Sequence, residues 1–429
     1  MSRVLRALLL FIVAGALVLL ASACATEPAA EPEMAEKEEM AAAPTVKIGV
    51  LLPFTGPLGE FGAAFEKAAA LAEEHLAAGG YPVEIVYGDT ETNPTAAVEA
   101  ARKLVDVDQV HAVIGAAASS SSLAVAESVT IPKGVPQISY ASTSPLLTIL
   151  PADEGQDFLF RTVPSDALQG VVLAGVAVEQ GYTNVAILYV NNPYGQGLKD
   201  NFQAAFEAAG GTVSAAVPHD EAEATTYVAE LRKAIEGEPE VLLALSYAGH
   251  ATIYLREAIE NDFITKFLFV DGTRSEEIIK AVGAENLEGM FGTAPGSAET
   301  PSLELFTADY QAKYGELPPL PFMTNVYDSI IIAALAALAA EVSGAEVTPA
   351  AVRDMLRTVA NPDGDTAAAG AAGVKAAIEA LRAGGSINYE GAAGAHDFDS
   401  DGDVVTPIEV WKYAGGTIES VRTEEVTIE

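Results

Sequence analysis

From Thr45 onward, short runs of β-branched and apolar residues alternate with longer amphipathic segments. The first series predicts strands Val46–Leu52, Val83–Tyr87, Ala112–Ile114 and Gln137–Ser139, with helices Phe61–Ala78 and Thr95–Val105. The second series predicts helices Asp166–Gln180, Gly197–Ala209, Thr225–Ile235, Ala251–Ile259 and Ser275–Ala281, and strands Val185–Val190, Thr212–Val217, Val241–Ser246 and Phe267–Val270. Strand–helix alternation is typical of parallel sheets covered by helices on both faces. The two series therefore predict an α/β fold with two doubly wound parallel-sheet lobes.

The pattern becomes helical after Pro295. It predicts helices Ser302–Tyr314, Met323–Val342 and Pro349–Val359, and a closing strand at Ile408–Tyr413. The Gly/Ala/Asp-rich stretch Asn361–Gly373 is typical of a loop, and a short helix follows it up to Arg382.

Composition excludes several classes of protein. The 429 residues include 60 Asp and Glu but only 23 Lys and Arg, for a net charge of −37. Such a chain is repelled by the phosphates of nucleic acids and by anionic membrane surfaces. Its one cysteine excludes an internal disulfide framework and a cysteine-based zinc site, and its five histidines show no metal-binding spacing. The sequence therefore predicts an acidic globular protein without a metal or other cofactor.

The N-terminus has the features of a secretory signal. Arg3 and Arg6 precede an apolar run at 7–20, and small residues lead to Cys24. The apolar run is shorter than the roughly 20 residues of a membrane-spanning helix. The segment before Cys24 resembles a bacterial lipobox, with Ala21 where leucine is usual. That resemblance implies cleavage before Cys24 and a lipid on its thiol; an uncleaved anchor and an unmodified buried thiol are the alternatives.

We therefore expect residues 1–23 to be a signal peptide and residues 24–44 to be the lipidated cysteine and a tether. The tether is rich in Ala, Glu and Pro and has no aromatic residue, so it lacks the apolar surface that folding requires.

Unusual polar and glycine-rich segments follow the predicted strands one after another. They are FTGPLGEFG (54–62), GAAASSSS (115–122), YASTSP (140–145), NNPYGQG (191–197), SYAGH (246–250) and DGTRSEE (271–277). Ligands of open parallel sheets bind beyond the carboxyl ends of the strands. If the two lobes pack mouth to mouth, all six segments face one cleft.

Two of these segments suggest complementary charges. The serine run at 119–122 opens a predicted helix, where hydroxyl and N–H donors suit a carboxylate, and Thr143 offers another hydroxyl. Asp271 ends an apolar strand, and its carboxylate suits an ammonium group. Helix capping by one serine or by Asp271, and a turn at Thr143, are the alternatives. Four aromatic residues stand in or beside the loops and suit an apolar side chain: Phe61, Tyr194, Tyr247 and Phe322. Together these features indicate an α-amino acid as ligand.

The order and spacing of FTGPLGEFG, the serine run, STSP, YGQGL and the Asp271 loop resemble the leucine/isoleucine/valine-binding proteins of bacterial ABC importers, which have the type I periplasmic binding protein fold. The resemblance covers Thr45 to the C-terminus. It implies that Ser119, Thr143 and the Ala141 backbone hold the ligand carboxylate. It also implies that Asp271, where relatives often have glutamate, binds the ammonium with help from carbonyls near Ala117 and Ala141. Phe61, Tyr194, Tyr247 and Phe322 fall at the family's aromatic contacts, and Phe61 stands where tyrosine is familiar.

The resemblance also implies three crossovers between the lobes, near 161–164, 293–295 and 404–407. One lobe would then comprise 45–162 with 294–404, and the other 163–293 with 405–429. In this family the lobes close about the crossovers when both contact the ligand. The insertion at 361–391 departs from compact members and has no assigned role.

We therefore expect a lipid-anchored, extracytoplasmic component of an ABC importer that delivers a branched-chain or other hydrophobic amino acid to a membrane permease. Catalysis is not expected, because motifs such as GxSxG and GxxxxGK[ST] are absent from the sequence. A ligand-sensing subunit and a ligand such as an amide, urea or an aromatic acid are the alternatives.

One further motif suggests a cation. Asp397, Asp399, Asp401 and Asp403 alternate as in the first half of a calcium-binding EF-hand loop, but position twelve is Ile408. A turn with solvated aspartates is therefore the favoured interpretation.

Overall fold

The computed structural model describes residues 46–360 and 363–425. They belong to one unit, Pro44–Glu429, which contains two large sheets and an extended hydrophobic core. A unit with its own core has what a domain needs to fold on its own. The expected signal peptide, Cys24 and the tether lie outside the described residues.

The described residues contain fourteen strands: β1 Lys47–Leu52, β2 Glu84–Asp89, β3 Ala112–Ile114, β4 Gln137–Ser139, β5 Leu159–Arg161, β6 Asn184–Val190, β7 Thr212–His219, β8 Val241–Leu245, β9 Phe267–Phe269, β10 Phe291–Pro295, β11 Asp365–Ala368, β12 Ile387–Glu390, β13 Ile408–Ala414 and β14 Thr417–Glu424. The α-helices of this part of the chain are α1 Gly59–Ala78, α2 Pro94–Arg102, α3 Ser119–Val125, α4 Ile131–Lys133, α5 Asp166–Glu179, α6 Pro193–Ala208, α7 Val228–Ala234, α8 Ala248–Glu260, α9 Glu276–Val282, α10 Pro301–Tyr314, α11 Met323–Val342, α12 Pro349–Val359 and α13 Gly370–Arg382.

The first sheet is entirely parallel, with the order β2-β1-β3-β4-β5. Its interior strand β1 contacts helices on both faces of the sheet, because side chains alternate between the two faces of a strand. Ile48 and Val50 join the core that includes α1, whereas Leu51 packs with Ala97 and Ala101 of α2. Strand β5, at the edge of this sheet, was not among the predicted strands.

The second sheet has the order β14-β13-β10-β9-β8-β6-β7. Strands β6 to β9 are parallel, as predicted, and β10, which was not among the predicted strands, pairs with β9 in parallel. Strands β13 and β14 run antiparallel, so this sheet is mixed. The reason is a two-residue turn at Gly415 and Gly416, which both have positive φ angles (59° and 80°). Such a turn joins only antiparallel strands. The sequence pattern predicted β13 but missed β14.

The loop predicted at 361–373 is wrong in part. Residues Asp365–Ala368 form β11, which pairs in parallel with β12, and α13 connects the two strands. The prediction failed because β11 reads Asp-Thr-Ala-Ala and therefore lacks the apolar pattern that identifies a strand. Helix α13 packs against α1 and α11, so the described part of the insertion, from β11 to β12, forms a small βαβ layer on the first sheet's helices.

Helix α11 is the central core helix of the molecule. Its length and mean hydropathy of 1.6 match a membrane-spanning helix, yet every residue from Met323 to Ala340 is buried within the protein. We therefore interpret α11 as a helix of the protein core.

Arg161, at the end of β5, is fully buried and ties two distant segments together. Its Nε donates to Asp403 Oδ1 at 2.7 Å, its Nη2 also pairs with Asp403, and its Nη1 donates to the carbonyls of Thr143 and Ser144 at 3.1 Å. The segments at 161 and 403 adjoin two of the three expected crossovers.

The aspartate run at 397–403 does not assemble a cation site. Asp399 Oδ1 instead accepts the backbone N–H groups of Asp401 (2.8 Å) and Asp403 (3.0 Å), and the Asp403 carboxylate faces Arg161. The part of the chain that the structure describes holds no group of three or more His, Cys, Asp or Glu side chains suited to a metal. The turn interpretation agrees with this geometry.

Candidate ligand-binding site

A small cavity lies where loops of the two sheets meet. Its lining combines loops at the carboxyl ends of β1, β3 and β4 with loops after β6, β8 and β9, as expected for parallel sheets. Eight of the nine predicted site residues line it: Phe61, Ala117, Ser119, Ala141, Tyr194, Tyr247, Asp271 and Phe322. The cavity volume is about 20 Å³, so its two sides lie close together in this structure.

The four serines of the 119–122 run have different environments. Ser119 lines the cavity, and its Oγ accepts the Ser144 N–H at 3.3 Å, which leaves its own hydroxyl proton available. Ser120 Oγ lies 2.5 Å from Glu221 Oε1, and Ser122 Oγ lies 2.8 Å from Ser142 Oγ. None of the four caps α3, whose N-cap residue is Ala118. Only Ser119 is therefore placed to meet a ligand.

Thr143 is the predicted residue that does not line the cavity. It is buried, its hydroxyl has no hydrogen-bond partner among the described residues, and it lies beside the Asp166 carboxylate. Its carbonyl accepts the backbone N–H of Asp166 at 2.8 Å. Its role toward a ligand carboxylate therefore remains a prediction.

Asp271 brings a buried carboxylate to the cavity wall. Its Oδ1 accepts from Gln169 Nε2 at 2.8 Å and from the Tyr194 hydroxyl at 2.9 Å. Burial raises the pKa of Asp271 to about 6, although these two hydrogen bonds oppose the rise. The side chain is thus poised to exchange a proton for another cation near neutral pH.

A second carboxylate, Asp166 at the start of α5, lies close to Asp271. It is fully buried, and neither carboxylate oxygen has a hydrogen-bond partner among the described residues. Burial raises the pKa of Asp166 well above its usual value, and repulsion from Asp271 adds to the rise; Thr143 and Arg161 oppose it. Burial and mutual repulsion penalise the charged forms of both carboxyl groups, so the pair favours a proton or another cation beside it.

Aromatic rings form the apolar walls of the cavity. Tyr194 and Tyr247 stack with ring centroids 5.6 Å apart, and Phe61 lies 5.8 Å from Phe65. Phe322 has a φ of 68°, a left-handed conformation that costs a bulky residue about 1–3 kcal/mol. Strain of this kind is retained mainly at functional sites, which agrees with the position of Phe322 in the cavity wall.

Gly272, next to Asp271, permits the close packing of this wall. A Cβ at this position would lie less than 3.0 Å from the carbonyl oxygen of Ser246, and near the rings of Tyr247 and Tyr194. A side chain at Gly272 would therefore push the Asp271 loop away from the two tyrosines.

Sequence reasoning missed Asp166, Gln169, Leu58, Phe65 and Gly272. Phe65 lies one helical turn after Phe61, so the spacing of α1 already indicated it. Asp166 follows the N-cap Ser165, where an acidic residue in the first turn is ordinary, so its sequence context gave no signal.

Comparisons with known proteins agree with the fold. Residues 45–407 match the sequence model of a family described as "Periplasmic binding protein". The leucine-, isoleucine-, valine-, threonine- and alanine-binding protein of Pseudomonas aeruginosa is 28% identical over 302 residues, which cover 68% of this chain and 78% of that protein. The chemotactic signal transduction system substrate-binding protein BasB of Halobacterium salinarum is 27% identical over 385 residues, which cover 87% of this chain and 88% of that protein.

Among solved structures, the leucine binding protein LivK of Thermotoga maritima superimposes with a TM-score of 0.72 at 26% identity, covering 88% of this chain and 98% of that chain. The predicted resemblance and the predicted type I fold are confirmed. Because the family match extends over most of the sequence, the chain belongs to the periplasmic binding protein family.

Proposed function

We propose that this protein captures an α-amino acid in the cavity between the two sheets and delivers it to a membrane transporter. The observation that carries the proposal is the pair of buried carboxylates, Asp271 and Asp166, beside a cavity whose other side carries the Ser119 hydroxyl. An ammonium group supplies the positive charge that this pair lacks, and Ser119 donates to the ligand carboxylate.

Each end of the amino acid is assigned to one side of the cavity. Ser119, the Ala141 backbone and Thr143 hold the carboxylate from the first sheet. Asp271 holds the ammonium from the second sheet, with carbonyls near Ala117 and Ala141. A ligand that joins both sides favours the closed arrangement, because only that arrangement satisfies both sets of contacts.

The side-chain portion of the pocket favours an apolar amino acid. Leu58, Phe61, Phe65 and Phe322 line it together with the faces of Tyr194 and Tyr247. Relatives named for leucine, isoleucine and valine binding support branched-chain amino acids as the leading class. The two carboxylates disfavour benzoate-like anions, which would be repelled.

Members of this family bind small molecules outside the cytoplasm. We further propose that Cys24 carries a lipid that holds the protein at the outer face of the cytoplasmic membrane, with 25–44 as the tether. Residues 45–162 with 294–404 form one lobe and 163–293 with 405–429 the other, and an ABC permease recognises the closed pair. Sensing is the second candidate, favoured by the similarity to a chemotactic substrate-binding protein.

Thermal unfolding of the unit Pro44–Glu429 with a ligand panel tests the proposal. Leucine, isoleucine or valine at 100 times its Kd should add about 2.7 kcal/mol to the free energy of unfolding, because the ligand binds only the native state. The panel also includes polar amino acids, urea, acetamide and benzoate. A midpoint raised only by amides or aromatic acids would contradict an amino acid as ligand.

Binding should weaken in acid. The ammonium group requires ionised Asp271, whose pKa in the ligand-free protein is raised to about 6. Above pH 7 this carboxylate is ionised and affinity is constant; as the pH falls through 6, the ligand must displace a proton, so Kd should be about tenfold higher at pH 5. Titration calorimetry from pH 5 to 8 measures this slope. Asp271→Asn should flatten it, and an equal slope in both proteins would contradict the assignment.

A further inference from the structure

Two glutamate–serine hydrogen bonds join the two sides of the cleft outside the ligand cavity. Ser120 of α3, on the side of the first sheet, lies with its Oγ 2.5 Å from Oε1 of Glu221, which follows β7 of the second sheet. Ser275, which caps α9 on the side of the second sheet, donates to Oε2 of Glu60 in α1. Neither glutamate lines the cavity, yet Ser120 adjoins the lining residue Ser119, and Glu60 adjoins the lining residue Phe61.

The Glu221 contact is connected to the cavity wall. Asn192 Nδ2 donates to Glu221 Oε1 at 2.7 Å and to the Tyr247 hydroxyl at 2.9 Å. Tyr247 stacks on Tyr194, which in turn donates to Asp271. A chain of direct contacts thus leads from Ser120, through Glu221, to the residue proposed to hold the ammonium.

A buried histidine pair fixes the backbone that carries Glu221. His250 Nε2 lies 3.0 Å from the Glu221 carbonyl, and His219 Nδ1 lies 2.8 Å from the Asp220 carbonyl. A carbonyl oxygen only accepts, so each of these ring nitrogens carries a proton. The other nitrogen of each ring contacts Ser246 Oγ, at 2.8 Å for His219 and 3.0 Å for His250. Burial lowers the pKa of both histidines, so they hold this segment as neutral rings.

The carboxylates of Glu60 and Glu221 are both desolvated where they contact a serine across the cleft. Burial raises the pKa of Glu221 and of Glu60, while the serine hydroxyl bonded to each carboxylate acts in the opposite direction. A buried carboxylate without such a donor carries an uncompensated desolvation cost. The serine hydroxyls therefore offset the desolvation cost of the two carboxylates only while the two sides of the cleft are in contact.

We propose that Glu60 and Glu221 are positioning residues that hold the cleft closed over the ligand, each through a serine of the opposite side and without touching the ligand itself. This inference rests on the proposed function, since it assigns these residues a part in ligand capture. The pairs act on the closed state, so their loss should appear mainly as faster ligand release.

The test compares variants of the unit Pro44–Glu429 in stopped-flow dissociation of the amino acid. Glu221→Ala should raise the dissociation rate about tenfold, and Ser120→Ala should do the same. The double variant should be no faster than either single variant, because both remove one contact. Glu221→Gln should restore slow release, since its amide oxygen still accepts from Ser120. For the second pair, Glu60→Ala and Ser275→Ala should each raise the dissociation rate about tenfold, and the double variant should again be no faster.

The matched controls are Glu223→Ala and Glu66→Ala. They remove the same charge from exposed positions near Glu221 and Glu60. Release of the amino acid and the unfolding midpoint of the ligand-free protein should be unchanged in both controls. Release rates of Glu221→Ala and Glu60→Ala that equal the wild-type rate would overturn the proposal.

A second readout needs no identified ligand. The sole cysteine, Cys24, precedes the unit, so Val107→Cys and Glu260→Cys provide two exposed labelling positions, one beside each sheet. Energy transfer between these labels should show a larger closed fraction in wild type than in Glu221→Ala. An equal closed fraction in the wild type and in Glu221→Ala would overturn the proposal. A larger closed fraction in the wild type than in Glu221→Ala, together with no binding of any amino acid, would instead refute the proposed function alone.

Discussion

Asp271→Ala is expected to weaken amino acid binding by roughly 30- to 4,000-fold, corresponding to the roughly 2–5 kcal/mol lost when one partner of a buried, hydrogen-bonded charge pair is truncated. The Asp271 carboxylate is buried, and within the described part of the chain it accepts from the neutral donors of Gln169 and Tyr194 rather than from a cationic side chain. The ligand ammonium completes the charge pair. Titration calorimetry on the wild type and the variant measures the loss directly.

Asp200→Ala is the matched control. It removes a carboxylate from α6 of the second sheet's side, but that side chain is 68% exposed and far less desolvated. The control should leave Kd within about twofold of wild type, since exposed ion pairs contribute at most about 1 kcal/mol.

Asp271→Ala also discriminates among ligand classes. A ligand that carries only a negative charge, such as benzoate, would be repelled by the carboxylate, so its removal should tighten binding. Equal or tighter amino acid binding in Asp271→Ala would therefore contradict the ammonium site while leaving the fold and the cavity intact.

The position of the cavity follows from one rule applied to the sequence. Parallel strands place their carboxyl ends at one edge, so polar segments after successive strands converge. Ser119 after β3 and Asp271 after β9 meet at the cavity in this way. The rule predicts proximity but not the direction of each side chain, which depends on local packing. That is why Ser119 faces the cavity while Ser120 pairs across the cleft and Ser122 pairs within the protein.

Long-range electrostatics were beyond reach of the sequence pattern. Asp166 looks like an ordinary acidic residue in the first turn of α5. Its unusual state arises from complete burial and from the approach of Asp271, which lies more than one hundred positions away in the sequence.

Strand β14 was missed for a different reason. Its burial pattern is mostly exposed, so it shows no apolar run, and it pairs only because the Gly415–Gly416 turn folds it back on β13.

Arg161→Ala is expected to lower the free energy of unfolding of the ligand-free unit by about 3–5 kcal/mol, as is typical when one partner of a buried ion pair is removed. The Arg161 side chain is 1% exposed and that of Asp403 is 15% exposed, so little water replaces the lost contacts. The substitution leaves the Asp403 carboxylate without its cation and the carbonyls of Thr143 and Ser144 without a donor. Urea unfolding measures the change.

Arg102→Ala, at the exposed end of α2, is the control and should change stability by no more than about 0.5 kcal/mol. The effect of Arg161→Ala should also reach the ligand site, because Arg161 opposes the raised pKa of Asp166 and holds the Thr143 carbonyl. We therefore expect weaker amino acid binding in addition to lower stability. A loss of stability below about 1 kcal/mol would contradict the inference that Arg161 ties the segments at 161 and 403 together. Removing a buried guanidinium that bonds to Asp403, Thr143, Ser144 and Thr148 should destabilise the protein more than removing a surface side chain does.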